Sequence, residues 1–95
     1  MARIRTHPGE VLSEEFLRPL NLTARQLAAG IGVPGNRVSE IVRGRRSVTA
    51  DTAIRLSRYL GTTPRFWLSL QAAHDLSLAE ANNDYAAIRQ HALSD

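Results

Sequence analysis

The feature that most constrains the fold is a pair of short helical patterns joined by about three residues, one of which is Gly32. Glycine tolerates the left-handed backbone of a tight turn, and a small residue such as Ala28 lets two helices cross at a steep angle. Apolar residues at helical spacing must then fill that angle. The residues that meet these demands together are Leu27, Ala28, Ile31, Gly32, Val33, Val38 and Ile41. Their combination predicts a helix-turn-helix unit.

Cap and turn residues divide the whole chain into helices, and no segment alternates apolar and polar residues as a half-buried strand does. Thr23 and Gln26 form the pattern of a capping box, and Pro19 is expected to end the helix that precedes it. Five helices are predicted over residues 8–18, 24–31, 35–43, 50–60 and 64–81, with a possible short sixth helix over 85–93. The expected fold is therefore all-α, with a helix-turn-helix domain over residues 1–81 and a short tail over residues 82–95.

The arginines are unevenly distributed along the chain, whose net charge is +3 and whose basic residues are all arginine. Residues 1–48 carry eight Arg and four Glu, a balance of +4, whereas residues 49–95 carry four Arg and five acidic residues, a balance of −1. A basic half of this kind is compatible with a nucleic-acid partner. A solvated basic face is the alternative.

Several function classes are not supported by the composition. The chain has no cysteine, so it has no disulfide and no cysteine-based metal site, and this fits a reducing compartment. Its first residues lack the apolar region of a signal peptide, and no apolar run approaches the ~20 residues that span a membrane. His7, His74 and His91 are isolated from one another in the sequence. We expect a cytoplasmic protein that is not an enzyme and that needs no metal or cofactor.

The second helix of the unit carries the residue types expected of a helix that reads DNA. Such a helix lies in the major groove with its N-terminal residues at the base edges, where Asn36 can pair with adenine. The arginines that follow the helix suit phosphates, which position a protein without carrying sequence information. The residues expected to contact DNA are Gly35, Asn36, Arg37, Ser39, Glu40, Arg43, Arg45 and Arg46. The alternative is that they are the solvated face of a short helix.

Glu40 stands apart in this set because it places a negative charge among arginines. Its carboxylate could accept a hydrogen bond from a cytosine amino group in the major groove. It could equally form a surface ion pair with Arg37, Arg43 or the arginines that flank Gly44, worth ~0.3–0.5 kcal/mol. The sequence leaves both interpretations open.

The helix predicted over residues 64–81 is apolar at more positions than a single buried stripe requires. One side can pack on the domain, and we expect the rest to bury the same helix of a second subunit. A fully buried core helix is the alternative. The residues expected in the dimer interface are Phe66, Trp67, Leu70, Ala73 and His74. A two-fold dimer would place two recognition helices ~34 Å apart, facing a palindromic operator in double-stranded DNA.

Two segments together resemble a known family. They are "HPGEVL" at residues 7–12 and residues 27–76, which include "FWLSLQ" at 66–71. With the chain length, they are similar to the HigA/VapI-type antitoxins, a branch of the Cro/C1-like (XRE, lambda-repressor-like) helix-turn-helix proteins. The pairing of the two short motifs is more specific than a helix-turn-helix alone. One position departs from the pattern, because many relatives have Ser or Thr where Pro34 stands.

The resemblance implies a homodimer that neutralises a RelE-fold mRNA-interferase toxin of the HigB type and represses its own promoter. The resemblance implies which positions of this chain contact DNA. It does not imply which bases they read, because the residues at these positions vary within the family. A stand-alone XRE-type repressor with no toxin partner is the alternative function. A gene for a short basic protein beside this one would favour the antitoxin.

Overall fold

The computed structural model describes residues 3–92, which form five helices and no strand, so the all-α prediction is confirmed. The first helix, α1, has three continuous segments, Pro8–Leu12, Ser13–Leu17 and Arg18–Leu20. The others are α2 (Ala24–Ile31), α3 (Gly35–Val42), α4 (Ala50–Leu60) and α5 (Pro64–Asn82). Among these five, no helix combines the length and the apolar character needed to cross a lipid bilayer.

The predicted starts of three helices are confirmed by their caps. The Thr23 side chain accepts a hydrogen bond from the Gln26 amide (3.0 Å), and the Gln26 side chain accepts one from the Thr23 amide (2.9 Å). This reciprocal pair satisfies two amides that lack a partner at the start of α2. Thr49 and Thr63 cap α4 and α5 in the same way with one bond each.

The prediction that Pro19 ends the first helix is wrong. Residues Ser13–Leu17 form a π-helical turn, in which the Arg18 amide donates to the Ser13 carbonyl five residues back. Proline lacks an amide hydrogen, and its ring clashes with the carbonyl four residues earlier in a regular α-helix. The wider turn gives the ring room, and α1 continues to Leu20, followed by the cap residue Asn21, whose φ is 55°.

The possible sixth helix is absent from residues 83–92, where the chain forms only a turn. The Ala86 amide donates to the Asp84 carboxylate (2.9 Å), and the Ile88 amide donates to the Tyr85 carbonyl (3.0 Å). All ten residues of this segment are exposed. A helix this short is marginal without a packed face, and this segment buries none. The last residue of the predicted helix, residue 93, and the rest of the tail lie outside the described residues.

The core contains residues from every helix and is centred on the single tryptophan. Trp67 of α5 is fully buried, and its indole Nε1 donates to Thr62 Oγ1 (2.7 Å). The apolar residues buried around it are Leu12, Leu17, Leu27, Ala28, Ile31, Val38, Ile41, Val48, Ala53 and Leu56. This core buries α2 and α3 on their inner sides and leaves the outer side of α3 in solvent.

Helix α1 approaches the end of α3 so closely that only a glycine fits between them. A Cβ atom at Gly9 would overlap the Ile41 carbonyl oxygen, and it would lie 2.7 Å from the Ile41 carbonyl carbon. Both groups belong to the backbone, which cannot rotate away as a side chain can. Gly9, the third residue of "HPGE", therefore fixes the distance between α1 and α3.

Candidate nucleic-acid interface

The turn between α2 and α3 has the geometry that a helix-turn-helix requires. Gly32 ends α2 with a φ of 73°, and its amide donates to the Ala28 and Ala29 carbonyls. Arg55 of α4 reinforces this end, since its guanidinium donates to the Ile31 carbonyl (2.8 Å) and pairs with Asp51 (2.9 Å). The apolar residues assigned to the unit face inward: Leu27, Ala28, Ile31, Val38 and Ile41 are buried, and Val33 packs against them.

The outer side of α3 presents short polar side chains. Gly35 and Asn36 are exposed in its first turn, and Ser39 follows one turn later, where it is half-buried. The Ser39 hydroxyl donates to the Asn36 carbonyl (3.0 Å), which holds this side chain against its own helix. Short side chains let the helix backbone approach a flat or grooved ligand closely.

Glu40 forms an ion pair, which is one of its two predicted interpretations. Its Oε1 accepts hydrogen bonds from Nε and Nη2 of Arg46, both at 2.8 Å. The arginine lies two residues beyond Gly44, so it is not Arg37 or Arg43 that forms the pair. Glu40 Oε2 is 3.5 Å from the side-chain nitrogen Nδ2 of Asn36, at the limit of a hydrogen bond. Glu40 thus links the outer side of α3 to the loop that follows it.

The remaining arginines of the predicted set are available to an anion. Within residues 3–92, the guanidinium groups of Arg37, Arg43 and Arg45 make no ion pair or hydrogen bond with another side chain. Arg43 and Arg45 are exposed, and Arg37 is half-buried. Arg45 and Arg46 therefore differ in their ion pairing, because only Arg46 pairs with Glu40, although the sequence analysis predicted the same role for both.

Gln71 of α5 fixes the loop that carries these arginines. Its buried side-chain oxygen accepts a hydrogen bond from the Val48 amide (2.8 Å), and its Nε2 donates to Asp75 (2.9 Å). At the other end of the loop, Gly44 has a φ of 73°, and the Arg45 amide donates to the Glu40 carbonyl (2.9 Å). The sequence pattern did not single out Gln71 for this role. Its position inside "FWLSLQ" was the only signal.

Arg25 is an interface candidate that the sequence analysis missed. It is exposed in the first turn of α2, and its guanidinium carbon lies 3.7 Å from the position of a Cβ at Gly35. The guanidinium nitrogens lie 3.9 Å from the same position. A positive charge therefore stands beside the first turn of α3, and only the packing of α2 on α3 reveals it.

The first turn of α3 has no side-chain cap. Pro34 occupies the cap position and makes no capping bond, as its departure from the family pattern suggested. The helix nevertheless begins at Gly35, where it was predicted. Arg25 stands beside this turn, and amides without a partner at a helix start favour an anion.

The predicted dimer interface requires a correction at one of its five residues. The prediction is wrong for Trp67, which is fully buried in the core. Leu70 packs against the same core, and His74 Nδ1 lies 2.7 Å from the Arg5 carbonyl oxygen. Ala73 is half-buried, and Phe66, 38% exposed, packs edge-to-face on Trp67. The sequence revealed two apolar sides of α5 without distinguishing which of them the domain covers.

A helix-turn-helix family model, HTH_3, matches residues 14–67. Virulence-associated protein I of Dichelobacter nodosus is 51% identical over 74 residues, which cover 78% of this chain and 68% of that protein. The structure of Pseudomonas aeruginosa antitoxin HigA with the higBA promoter has a TM-score of 0.80 and 42% identity, covering 82% of this chain and 85% of that chain. The chain belongs to the HigA/VapI family of helix-turn-helix proteins.

A second solved structure extends the similarity over nearly the whole chain. Antitoxin GraA in complex with its operator has a TM-score of 0.87 and 40% identity, covering 98% of this chain and 97% of that chain. The HigA/VapI family thus contains antitoxins and DNA-binding regulators, and it is not a class of enzymes. Within the family, the outer side of α3 and the arginines around it form the candidate DNA-contacting surface of this chain.

Proposed function

We propose that this chain is an antitoxin that binds a palindromic operator through α3 and neutralises a RelE-fold mRNA-interferase toxin of the HigB type. One observation carries the DNA role: an uncapped helix with short polar side chains is surrounded by arginines that lack partners within the described chain. The similarity to antitoxins solved with operator or promoter DNA supports the same role. The toxin role is supported by family membership alone.

We assign two kinds of contact to the surface. Asn36 and Ser39 face outward near the start of α3, where a helix in the major groove meets base edges. Arg43 and Arg45, at and beyond the end of α3, are placed to neutralise phosphates, and Arg25 is placed to do so beside the first turn. Base contacts give sequence preference, and phosphate contacts give affinity that depends on salt.

The assignment is tested on DNA from upstream of the gene, against random DNA of equal length. The variant Asn36→Ala is expected to reduce the ratio of operator to random affinity, since one good base contact is worth ~1–3 kcal/mol. The variant Arg25→Ala is expected to weaken both kinds of binding equally. If Asn36→Ala also weakens both equally, Asn36 only positions the helix.

We propose further that the protein dimerises through the outer side of α5, in place of the interface first predicted. Leu68, Ala72 and Leu76 are spaced four residues apart, so they share one face of the helix. Leu68 is 37% exposed and Leu76 63% exposed, and an apolar depression beside them is lined by Pro64, Arg65, Leu68, Ser69 and Ala72. Exposed apolar residues in this arrangement are typical of an interface.

The face formed by Leu68, Ala72 and Leu76 is complementary to itself if the α5 helices of two copies pack antiparallel, with the two Ala72 residues in contact. Leu68 of one copy would meet the partner's Leu76, and Arg65 would lie beside the partner's Glu80. A two-fold axis repeats each contact, so a single charge pair appears twice. The variant Leu76→Arg is expected to give monomers in sedimentation velocity, whereas Ile54→Arg, at an exposed position of α4, is expected to remain dimeric. A dimeric Leu76→Arg protein would exclude this face.

The toxin role is tested with the product of the neighbouring gene. Co-expression with this chain is expected to restore growth of cells that produce that protein, and the two are expected to copurify. Operator binding without either result would identify a stand-alone repressor. Restored growth and copurification in the absence of operator binding would instead identify a toxin-neutralising protein that does not bind this DNA.

A further inference from the structure

The start of α1 is capped by a histidine, which is a titratable cap. His7 Nδ1 accepts a hydrogen bond from the Gly9 amide (2.8 Å). The other side-chain caps on the helices described between residues 3 and 92 are threonines, which do not titrate. A histidine nitrogen can accept only while it carries no proton. This bond therefore requires the neutral ring with its hydrogen on Nε2.

The His7 ring lies where three parts of the fold meet. It packs edge-to-face on the His74 ring of α5, with ring centres 4.9 Å apart. On another side, its Cγ is 3.9 Å from the position of a Cβ at Gly44, in the loop that follows α3. The amide that it caps belongs to Gly9, the residue packed against the Ile41 backbone. A change in the protonation or contacts of His7 therefore affects the packing of α1, α3 and α5 on one another.

Charged groups surround the ring from every neighbouring element. A cavity of about 170 Å³ is lined by His7, by His74 and Asp75 of α5, and by Arg45 and Arg46 of the loop after α3. Arg5 and Glu10 are the charged residues nearest in sequence. Burial, followed by the charge of His74, lowers the pKa of His7 below its ordinary value of 6.5, and Asp75 acts in the opposite direction.

We propose that His7 is a pH-sensitive cap, whose protonation releases the start of α1 and loosens the joint between α1, the recognition helix and α5. Protonation of Nδ1 removes the acceptor of the Gly9 amide. It also places a positive charge at a helix start, where the helix dipole disfavours it, and beside His74. The amide of Gly9, the residue that packs against α3, then loses its hydrogen-bond partner.

The direction of the pH dependence follows from the lowered pKa. In the unfolded chain His7 takes up a proton around pH 6.5, whereas the folded chain resists protonation to a lower pH. The unfolded state thus binds more protons in this window, so stability falls with falling pH. The contribution of the cap is complete above pH 6.5 and is lost as the pH falls through the lowered pKa of His7.

The test is thermal unfolding of the full chain without DNA, followed by the fluorescence of the buried Trp67. Between about pH 8 and about pH 5.5, where histidines titrate and most carboxylates do not, the Tm is expected to fall by about 4–8 °C. The variant His7→Asn keeps a capping oxygen that does not titrate, so its Tm is expected to be flat across this range. The variant His91→Asn, in the exposed tail, is expected to keep the fall.

A second variant tests the electrostatic part if His7→Asn does not fold. Asp75→Asn retains an oxygen for Gln71 but removes the charge that raises the pKa of His7, so the fall in Tm is expected to begin at the same pH, to become larger and to continue to lower pH. A Tm of the unmodified chain that is constant across the range overturns the proposal. So does a fall that persists in His7→Asn, or one that is not larger in Asp75→Asn than in the unmodified chain. Because no DNA is present, a failure of operator binding would not affect the result.

Discussion

The recognition unit, residues 24–46, and the frame around it, residues 7–9 and 66–75, are built in different ways. In the unit, the turn at Gly32 and the apolar residues that fill it all lie within residues 27–41. In the frame, the decisive contacts join distant residues, with Gly9 against Ile41 and Gln71 against Val48. The unit can therefore be identified from a short sequence window, but its placement depends on segments outside that window.

The largest expected loss of stability comes from a substitution in the frame, at Gly9. The variant Gly9→Ala forces a methyl group into the Ile41 backbone, and we expect a loss of about 3 kcal/mol of unfolding free energy, at the upper end for overpacking. Urea unfolding followed by Trp67 fluorescence measures it. The matched control is Gly30→Ala in α2, whose methyl would meet only the exposed Tyr59 ring. Equal stability of the two variants would contradict the close approach of α1 and α3.

A smaller loss of unfolding free energy is expected when the hydrogen bond between the frame and the loop after α3 is removed. The variant Gln71→Leu leaves the Val48 amide without its acceptor, which costs about 1–3 kcal/mol when the group is buried. Operator affinity should fall as well, because the loop carries Arg45 and Arg46. Gln90→Leu, in the exposed tail, serves as the control in both measurements. Unchanged stability of Gln71→Leu would show that the loop does not need this anchor.

Within the unit, the two adjacent arginines of the loop are expected to differ. Arg45→Ala should reduce the slope of log affinity against log salt by ~0.9, the value for one phosphate contact. Arg46→Ala should reduce it less, because Glu40 already neutralises Arg46 in the free protein. Titrations of operator binding at several salt concentrations measure both, with Arg89→Ala in the tail as control. Equal slopes for the two variants would mean that the ion pair opens on DNA.

The smallest expected effect concerns Glu40 itself. The variant Glu40→Gln removes the carboxylate that holds Arg46, so binding to all DNA should become tighter by up to about fivefold, equivalent to ~1 kcal/mol for an exposed pair. The preferred operator should stay the same. A change of preference at one base position would restore the alternative, in which Glu40 reads a cytosine.

The sequence predicted the parts of the fold that depend on neighbouring residues. The caps at Thr23, Thr49 and Thr63 and the start of α3 are local signals, and the structure has them at those positions. The rule that proline ends a helix is also local, but it failed at Pro19 because the preceding π turn changed the geometry on which the rule depends.

The parts that the sequence could not predict depend on which surfaces meet. Apolar spacing marked two sides of α5, but only the packed structure shows that Trp67 faces its own domain and Leu76 faces solvent. Arg25 belongs to the candidate interface only because α2 brings it beside Gly35. No pattern within one helix carries that information, since it depends on the angle between two helices.

The missing cap of α3 leaves hydrogen-bond donors at the start of the helix that a bound ligand can use. Four of the five helices described between residues 3 and 92 begin with a side chain that accepts from their own first amides, and α3 does not. Its first turn is therefore left to water in the free protein, and a bound phosphate would take the place of the cap. Hydrogen exchange at Gly35 and Asn36 should be rapid without DNA and should slow more than at the starts of the other helices once DNA is bound.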